Sequence, residues 1–217
     1  MDWNSVLGVV FDLDGTLYRQ APVRMRMARK LLQHAVSERK GWRDFRMLQH
    51  FRKNREALAE SCPKYVRVEQ YAATARAFGV GTDTVATVVH RWMEVAPLEM
   101  LRSARYRDID IFFATLRARG IRIGVLSDYP VEAKLSSLGL QADAVCCSTE
   151  PDVDCLKPGT AGLKKLLDLL HIEPSECVLI GDRMERDGVC AQSLNVRFLL
   201  CNGRDFYSSL LSDVTGN

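Results

Sequence analysis

Short, mostly apolar runs punctuate the chain at Val6 to Phe11, Ile121 to Leu126, Ala144 to Cys147, Cys177 to Ile180 and Val196 to Leu200. Runs without polar alternation suit strands buried on both faces, as in a parallel sheet. Around the last four, apolar residues recur at helical spacing. Ile109, Phe112, Phe113 and Leu116 form a stripe closed by Gly120, and Val131–Leu138, Thr160–Leu170 and Arg186–Leu194 suit further helices. Strands and helices alternating at this length predict an α/β core, a doubly wound parallel sheet covered on both sides. Between the first and second runs the pattern is helical only. Met25, Ala28, Leu31 and Leu32 fall at helical spacing, as do Phe45, Leu48, Phe51 and Leu58, then Tyr71, Ala75 and Phe78, then Val85, Val88, Val89, Trp92 and Met93. Gly41, Pro63, Gly79, Gly81 and Pro97 punctuate these segments. The pattern predicts a helical unit over residues 19–101 inserted into a core formed by residues 1–18 and 102–217.

The polar ends of the strands carry the candidate chemistry, because ligands of an open parallel sheet sit at the carboxyl ends of its strands. The first strand ends in Asp12-Leu13-Asp14-Gly15-Thr16. Two carboxylates one residue apart need a countercharge and offer oxygen ligands to a hard divalent cation. An ionised aspartate beside such a cation can also attack phosphorus. The second strand ends in Leu126-Ser127-Asp128, Lys157-Pro158-Gly159 follows the third, and the fourth runs into Gly181-Asp182-Arg183-Met184-Glu185-Arg186-Asp187-Gly188. Taken singly, Ser127 reads equally as a helix cap and Lys157 as a solvated lysine.

This ordered set resembles the four motifs of the haloacid dehalogenase-like (HAD) superfamily, mostly phosphate-ester hydrolases with a Rossmann-type core, and the likeness runs from residue 6 to about residue 200. The resemblance implies an Mg2+-dependent phosphatase. Asp12 would be the nucleophile and a metal ligand, Asp14 a ligand through its backbone carbonyl, Asp182 a further carboxylate ligand, and Asp187 a ligand or a support of the metal shell. Asp14 would also be the general acid and base; dehalogenases of the superfamily lack a carboxylate there, because a halide leaves without a proton. Ser127 and the Asp128 amide would hold a phosphate oxygen, and Lys157 would offset the charge. The helical insertion matches the cap that sets specificity in the family. Two positions depart from the usual pattern. Asp128 stands where many relatives place Asn, which suggests a carboxylate near the substrate entrance. The loop Thr149 to Leu156 is unusually acidic and is expected to face solvent.

Charge sharpens the picture of the substrate. The net charge of +3 conceals twelve Lys and Arg against two acids between Arg19 and Arg55, a local +10 that leaves the rest of the chain at −7. Such a segment suits an anionic ligand, or is simply a solvated helical face. Arg24 and Arg26 are the foremost candidates to grip a second anion on a small phosphate ester. Without interleaved aromatics, nucleic acid is not expected. A phosphomutase on the same scaffold, or a non-catalytic protein docking through its basic cap, are the rival readings. Phosphonate cleavage is a minor option, since the insertion lacks the lysine context for a Schiff base. Seven cysteines without Cys-x-x-Cys spacing suit a reducing cytoplasm, and Cys146 and Cys147 read better as buried strand residues than as soft-metal ligands. With 47% hydrophobic and 26% charged residues, and no basic segment followed by a long apolar run at the start, neither secretion nor membrane insertion is expected. The sequence leaves the oligomeric state open.

Overall fold

The structure, a computed structural model, describes residues 2–38, 40–61 and 65–215. Arg39 of the basic run, Cys62 and Pro63 lie outside the described residues. Five parallel strands, β1 (Gly8–Asp12), β2 (Arg122–Ser127), β3 (Ala144–Cys147), β4 (Cys177–Gly181) and β5 (Arg197–Leu200), form one sheet in the order β3-β2-β1-β4-β5. The chain winds outward from β1 to one side, then crosses to the other, so the doubly wound expectation holds.

The mostly apolar runs arise because successive strand residues feed opposite faces. On β1, Val9 and Phe11 join one apolar cluster while Val10 joins the other; on β4, Val178 and Ile180 oppose Cys177 and Leu179 in the same way. The first face is covered by α6 (Ile109–Ala118) and α10 (Phe206–Thr215), whose Phe112 and Tyr207 rings lie 5.4 Å apart. The second is covered by α8 (Ala161–Leu170) through Leu163, Leu166 and Leu170. Helix α10 is an element that the sequence reading lacked.

Among the described residues, five helices lie between β1 and α6: α1 (Gln20–Ser37), α2 (Gly41–Ser61), α3 (Val66–Phe78), α4 (Thr82–Val89), which continues into a π-helical turn at His90–Val95, and α5 (Leu98–Ala104). The expected boundary at residue 101 falls inside α5, which packs against both α1 and α7 (Glu132–Leu138). Nor does the insertion keep a separate core, since Met27, Leu48, Phe51 and Val89 belong to the same cluster as Phe11 and Phe112. On α1 the inward face is Val23, Met27 and Ala35; Met25 and Leu32, expected in the stripe, are 66% and 55% exposed. Both sets satisfy helical spacing, and packing against α2 selects between them. The expected helix at 186–194 begins instead as a π-helical turn, Met184–Gly188, followed by α9 (Val189–Gln192).

Cys146 and Cys147 are buried on β3 and join no group of ligand-type side chains among the described residues. Among the described residues, Cys146, Cys147, Cys177, Cys190 and Cys201 are free thiols. No helix among the described residues is long and apolar enough to cross a membrane.

Candidate active site

Register places the polar strand ends together. Asp12 pairs with Leu126 and Ser127 with Cys147, while Gly181 ends β4 beside β1. The turn after β1 is pinned by the Leu17 amide donating to Leu13 O at 3.0 Å and the buried Tyr207 hydroxyl donating to Thr16 O at 2.9 Å. Asp12 is thereby fixed at the bottom of the cleft, 6% exposed, with the Thr16 hydroxyl donating to its Oδ2 at 3.0 Å. Lys157 Nζ bonds Asp12 Oδ1 and reaches Asp187 Oδ1 at 2.6 Å. The other Asp187 oxygen accepts the Arg183 amide at 3.1 Å.

Asp12, Asp182 and Asp187 each present a carboxylate oxygen, all within 4.8 Å of one another. The Lys157 ammonium bonds two of these three carboxylates, so the cluster is short of positive charge. Burial, only partly countered by Lys157 and reinforced by Asp187 and Asp182, pushes the Asp12 carboxyl well above the usual carboxylate range. Burial and then Asp187 push Asp182 up to about 6. Burial alone would depress the Lys157 ammonium, but Asp12 and Asp187 outweigh it and hold it well above the usual lysine range. An oxygen-only donor set short of positive charge fits a hard divalent cation such as Mg2+.

Two glycines make the cluster possible. A Cβ on Gly15, whose φ is +111°, would lie 2.0 Å from Asp182 Oδ2, and one on Gly181 would lie 2.5 Å from the Asp187 side chain. Gly15→Ala is therefore expected to cost roughly 1–3 kcal/mol in backbone strain and to weaken divalent-metal binding by at least about tenfold. Denaturation and metal titration of the variant check both effects; unchanged affinity would show that Asp182 is not held by this close approach.

Asp14 points elsewhere. Lys134 Nζ, on α7, lies 2.7 Å from both of its carboxylate oxygens, the Tyr18 hydroxyl donates to Oδ1 at 2.5 Å, and Gln20 Nε2 donates to its backbone carbonyl. Burial would raise the Asp14 pKa, but the Lys134 charge and hydrogen bonds win, so the carboxyl lies below its ordinary range. Lys134, 4% exposed, was missed by sequence reasoning. A lysine within a short helix carries no local mark of such a role.

Ser127 is 1% exposed and accepts the Tyr129 amide on Oγ at 3.1 Å. Asp128 lines the cavity over Asp12, and one of its carboxylate oxygens is already engaged. Its Oδ1 accepts the Ser148 hydroxyl at 2.7 Å and the Lys157 amide at 3.2 Å, which ties the ends of β2 and β3 together and steadies Lys157. The acidic loop is likewise engaged rather than simply solvated. Glu150 and Asp152 pair with Lys165, and Asp154 accepts the Arg67 amide.

The insertion closes one side of a cavity of about 750 Å3 above Asp12. Of the two expected anion-grippers, Arg24 lines it; Arg26 does not, and donates to Ser103 Oγ at 3.1 Å. Arg55 and Glu56 on α2, neither singled out from sequence, tie the insertion to the strand ends. Arg55 stacks 4.2 Å from the Tyr129 ring centroid and donates to Asp128 O, and Glu56 accepts Arg183 at 3.0 Å and Arg186 at 2.5 Å.

A parallel sheet with an aspartate nucleophile candidate and an acid cluster at its strand ends defines a class, and comparison with known proteins agrees. Residues 6–193 match the haloacid dehalogenase-like hydrolase family, and the chain belongs to it. It is 29% identical over 185 residues, 80% of this chain and 70% of the relative, to the phosphoglycolate phosphatase of Rhodospirillum rubrum. Among solved structures, it is similar to a 2-haloacid dehalogenase from Pseudomonas syringae (TM-score 0.65, 20% identity, covering 97% of this chain and 98% of that one). A HAD phosphatase from Thermococcus onnurineus gives a TM-score of 0.61 at 19% identity, covering 96% and 97%. At these identities the structural likenesses speak to fold.

Proposed function

We propose that this HAD hydrolase is an Mg2+-dependent phosphate monoester hydrolase working through an aspartyl phosphate on Asp12, with the helical insertion acting as its cap. The observation that carries the reading is Asp14, a half-buried carboxylate beside the nucleophile with Lys134 on both its oxygens. A halide leaves without a proton, whereas an alkoxide departing from phosphorus needs one, so a proton-handling pair is useful to a phosphatase. The phosphatase relative, at 29% identity, supports the same choice.

In this mechanism Ser127 and Lys157 hold the phosphoryl oxygens at the strand ends. An Asp12 oxygen forms a bond to phosphorus as the bond to the ester oxygen breaks. Because Asp14 rests ionised, the proton for that oxygen resides on the Asp14–Lys134 pair rather than on Asp14 alone. Water then attacks phosphorus, Asp14 takes its proton, and the Asp12–phosphorus bond breaks. Asp12, Asp182, Asp187 and the Asp14 carbonyl would hold the Mg2+, which when bound neutralises charge on the attacking carboxylate and the phosphate.

The test is phosphate release from an aryl phosphate with Mg2+ and with excess chelator, beside halide release from a 2-haloacid. Activity on the ester that vanishes on chelation supports the reading; halide release alone would replace it. Metal binding should also follow the Asp182 carboxyl. Its pKa is raised on folding to about 6, so its ionisation costs the metal-free protein stability as pH rises through 6, and a cation relieves that cost. The rise in melting temperature on adding Mg2+ is therefore expected to be larger at pH 7.5 than at pH 5.

A further inference from the structure

The cavity over Asp12 is larger, and lined differently, than a phosphate with a two-carbon leaving group requires. Its volume of about 750 Å3 lies in the range of roughly 300–1,000 Å3 typical of pockets that enclose drug-sized ligands. The floor is polar and belongs to the reacting phosphate. The wall supplied by the insertion is mostly apolar: Leu31 from α1, Phe45 and Leu48 from α2, and Trp92 and Met93 from the π-helical turn.

Most cations on this cavity already have partners. Lys157 and Lys134 hold Asp12 and Asp14, Arg55 is taken up by Gln70 and Asp128 O, and Arg183 and Arg186 by Glu56. Arg24 on α1 and Arg52 on α2 also line the cavity, and neither forms an ion pair among the described residues. Arg24 lies close enough to Tyr18, and Arg52 to Tyr129, for each charge to oppose the upward shift that burial imposes on that hydroxyl. The first of these tyrosines bonds Asp14, and the ring of the second lies 5.2 Å from Lys134 Nζ. The unpaired arginines thus stand beside the leaving-group side of the site, next to an apolar wall.

We infer that the substrate of this site is a phosphate ester whose leaving group has an extended apolar body and carries a second anion received by Arg24 and Arg52. This rests on the phosphatase reading for the role of the phosphate, and deepens it. A two-carbon acid would reach the arginines or the floor but leave the half-buried Leu31, Phe45 and Met93 surface facing water. A longer hydrocarbon removes that surface from water, and the anion gains charge-assisted hydrogen bonds in a partly enclosed site.

The test uses ω-carboxyalkyl phosphates, beginning with phosphoglycolate, and n-alkyl phosphates of matched length. Across members of two to about eight carbons, kcat/KM is expected to rise about three- to fourfold per methylene until the wall is covered. Each longer acid should exceed its uncharged partner by about tenfold or more. Arg24→Ala and Arg52→Ala should each shrink the advantage of the carboxylate while keeping the dependence on length, and Met93→Ser should flatten the dependence on length. The matching non-hydrolysable phosphonates, titrated into the Mg2+-loaded wild-type protein by calorimetry, should bind in the same order. Hydrolysis without preference for length or charge would overturn this ligand class and leave the phosphatase reading standing. Ordered phosphonate binding with no ester hydrolysed would do the reverse.

Discussion

Asp12→Asn is expected to lower phosphate-ester turnover by about 10⁴-fold or more, the scale seen when a covalent nucleophile is removed. The side chain keeps its volume and can still accept from Thr16, whose hydroxyl lies 3.0 Å from Oδ2, so the fold should survive. The variant should melt no lower than wild type in the absence of metal, because it relieves a cluster of three carboxylates of which Lys157 pairs with only two. Steady-state phosphate release and thermal denaturation read the two effects. Turnover within tenfold of wild type, a barrier change of only ~1.4 kcal/mol, would remove Asp12 from the nucleophile's role.

Lys157→Met should be damaging in a different way. Lys157 is 4% exposed and is the cation bonded to both Asp12 and Asp187. Taking away one side of a buried ion pair costs about 3–5 kcal/mol, since the charge left behind is buried without compensation. For a chain of this size that corresponds to a fall in melting temperature of roughly 6–20 °C. The sign of its pH dependence follows. Without the ammonium the buried carboxyls titrate still higher, and a carboxyl whose folded pKa is raised penalises folding once pH exceeds that value. The deficit relative to wild type should therefore be larger at pH 8 than at pH 5, and Mg2+ should recover part of it by supplying the missing charge. Activity should fall with stability still measurable, because the phosphoryl group loses its ammonium. Denaturation at both pH values, with and without Mg2+, tests the chain of reasoning. A variant as stable as wild type at pH 8 would show that the cluster is balanced by something other than Lys157.

The strands of the core were legible from local pattern, and the floor of the candidate site from the strand ends read together with the family resemblance. An apolar strand buried on two faces has no alternation to show, which is why Val9, Val10 and Phe11 read correctly as an interior parallel strand. Polar residues at the ends of such strands meet wherever the strands lie in parallel register, so Asp12, Ser127, Lys157 and Asp182 were brought together by topology that the strand and helix order already implied. Helical periodicity is weaker in kind, because it states a spacing and leaves the phase open. On α1 two apolar sets share that spacing, and contact with α2 and α5 turned Val23, Met27 and Ala35 inward while Met25 and Leu32 face outward. The same rotation put Arg24 on the cavity and Arg26 against Ser103.

Other parts of the site depend on pairs far apart in the chain. Lys134 meets Asp14 across 120 residues, Glu56 meets Arg186 across 130, and Asp128 accepts the hydroxyl of Ser148, 20 residues on. No local preference distinguishes these charges from solvated ones. Burial decides their roles, since a charge removed from water must find a partner, and which partner lies within reach is settled only when the sheet and the insertion pack together.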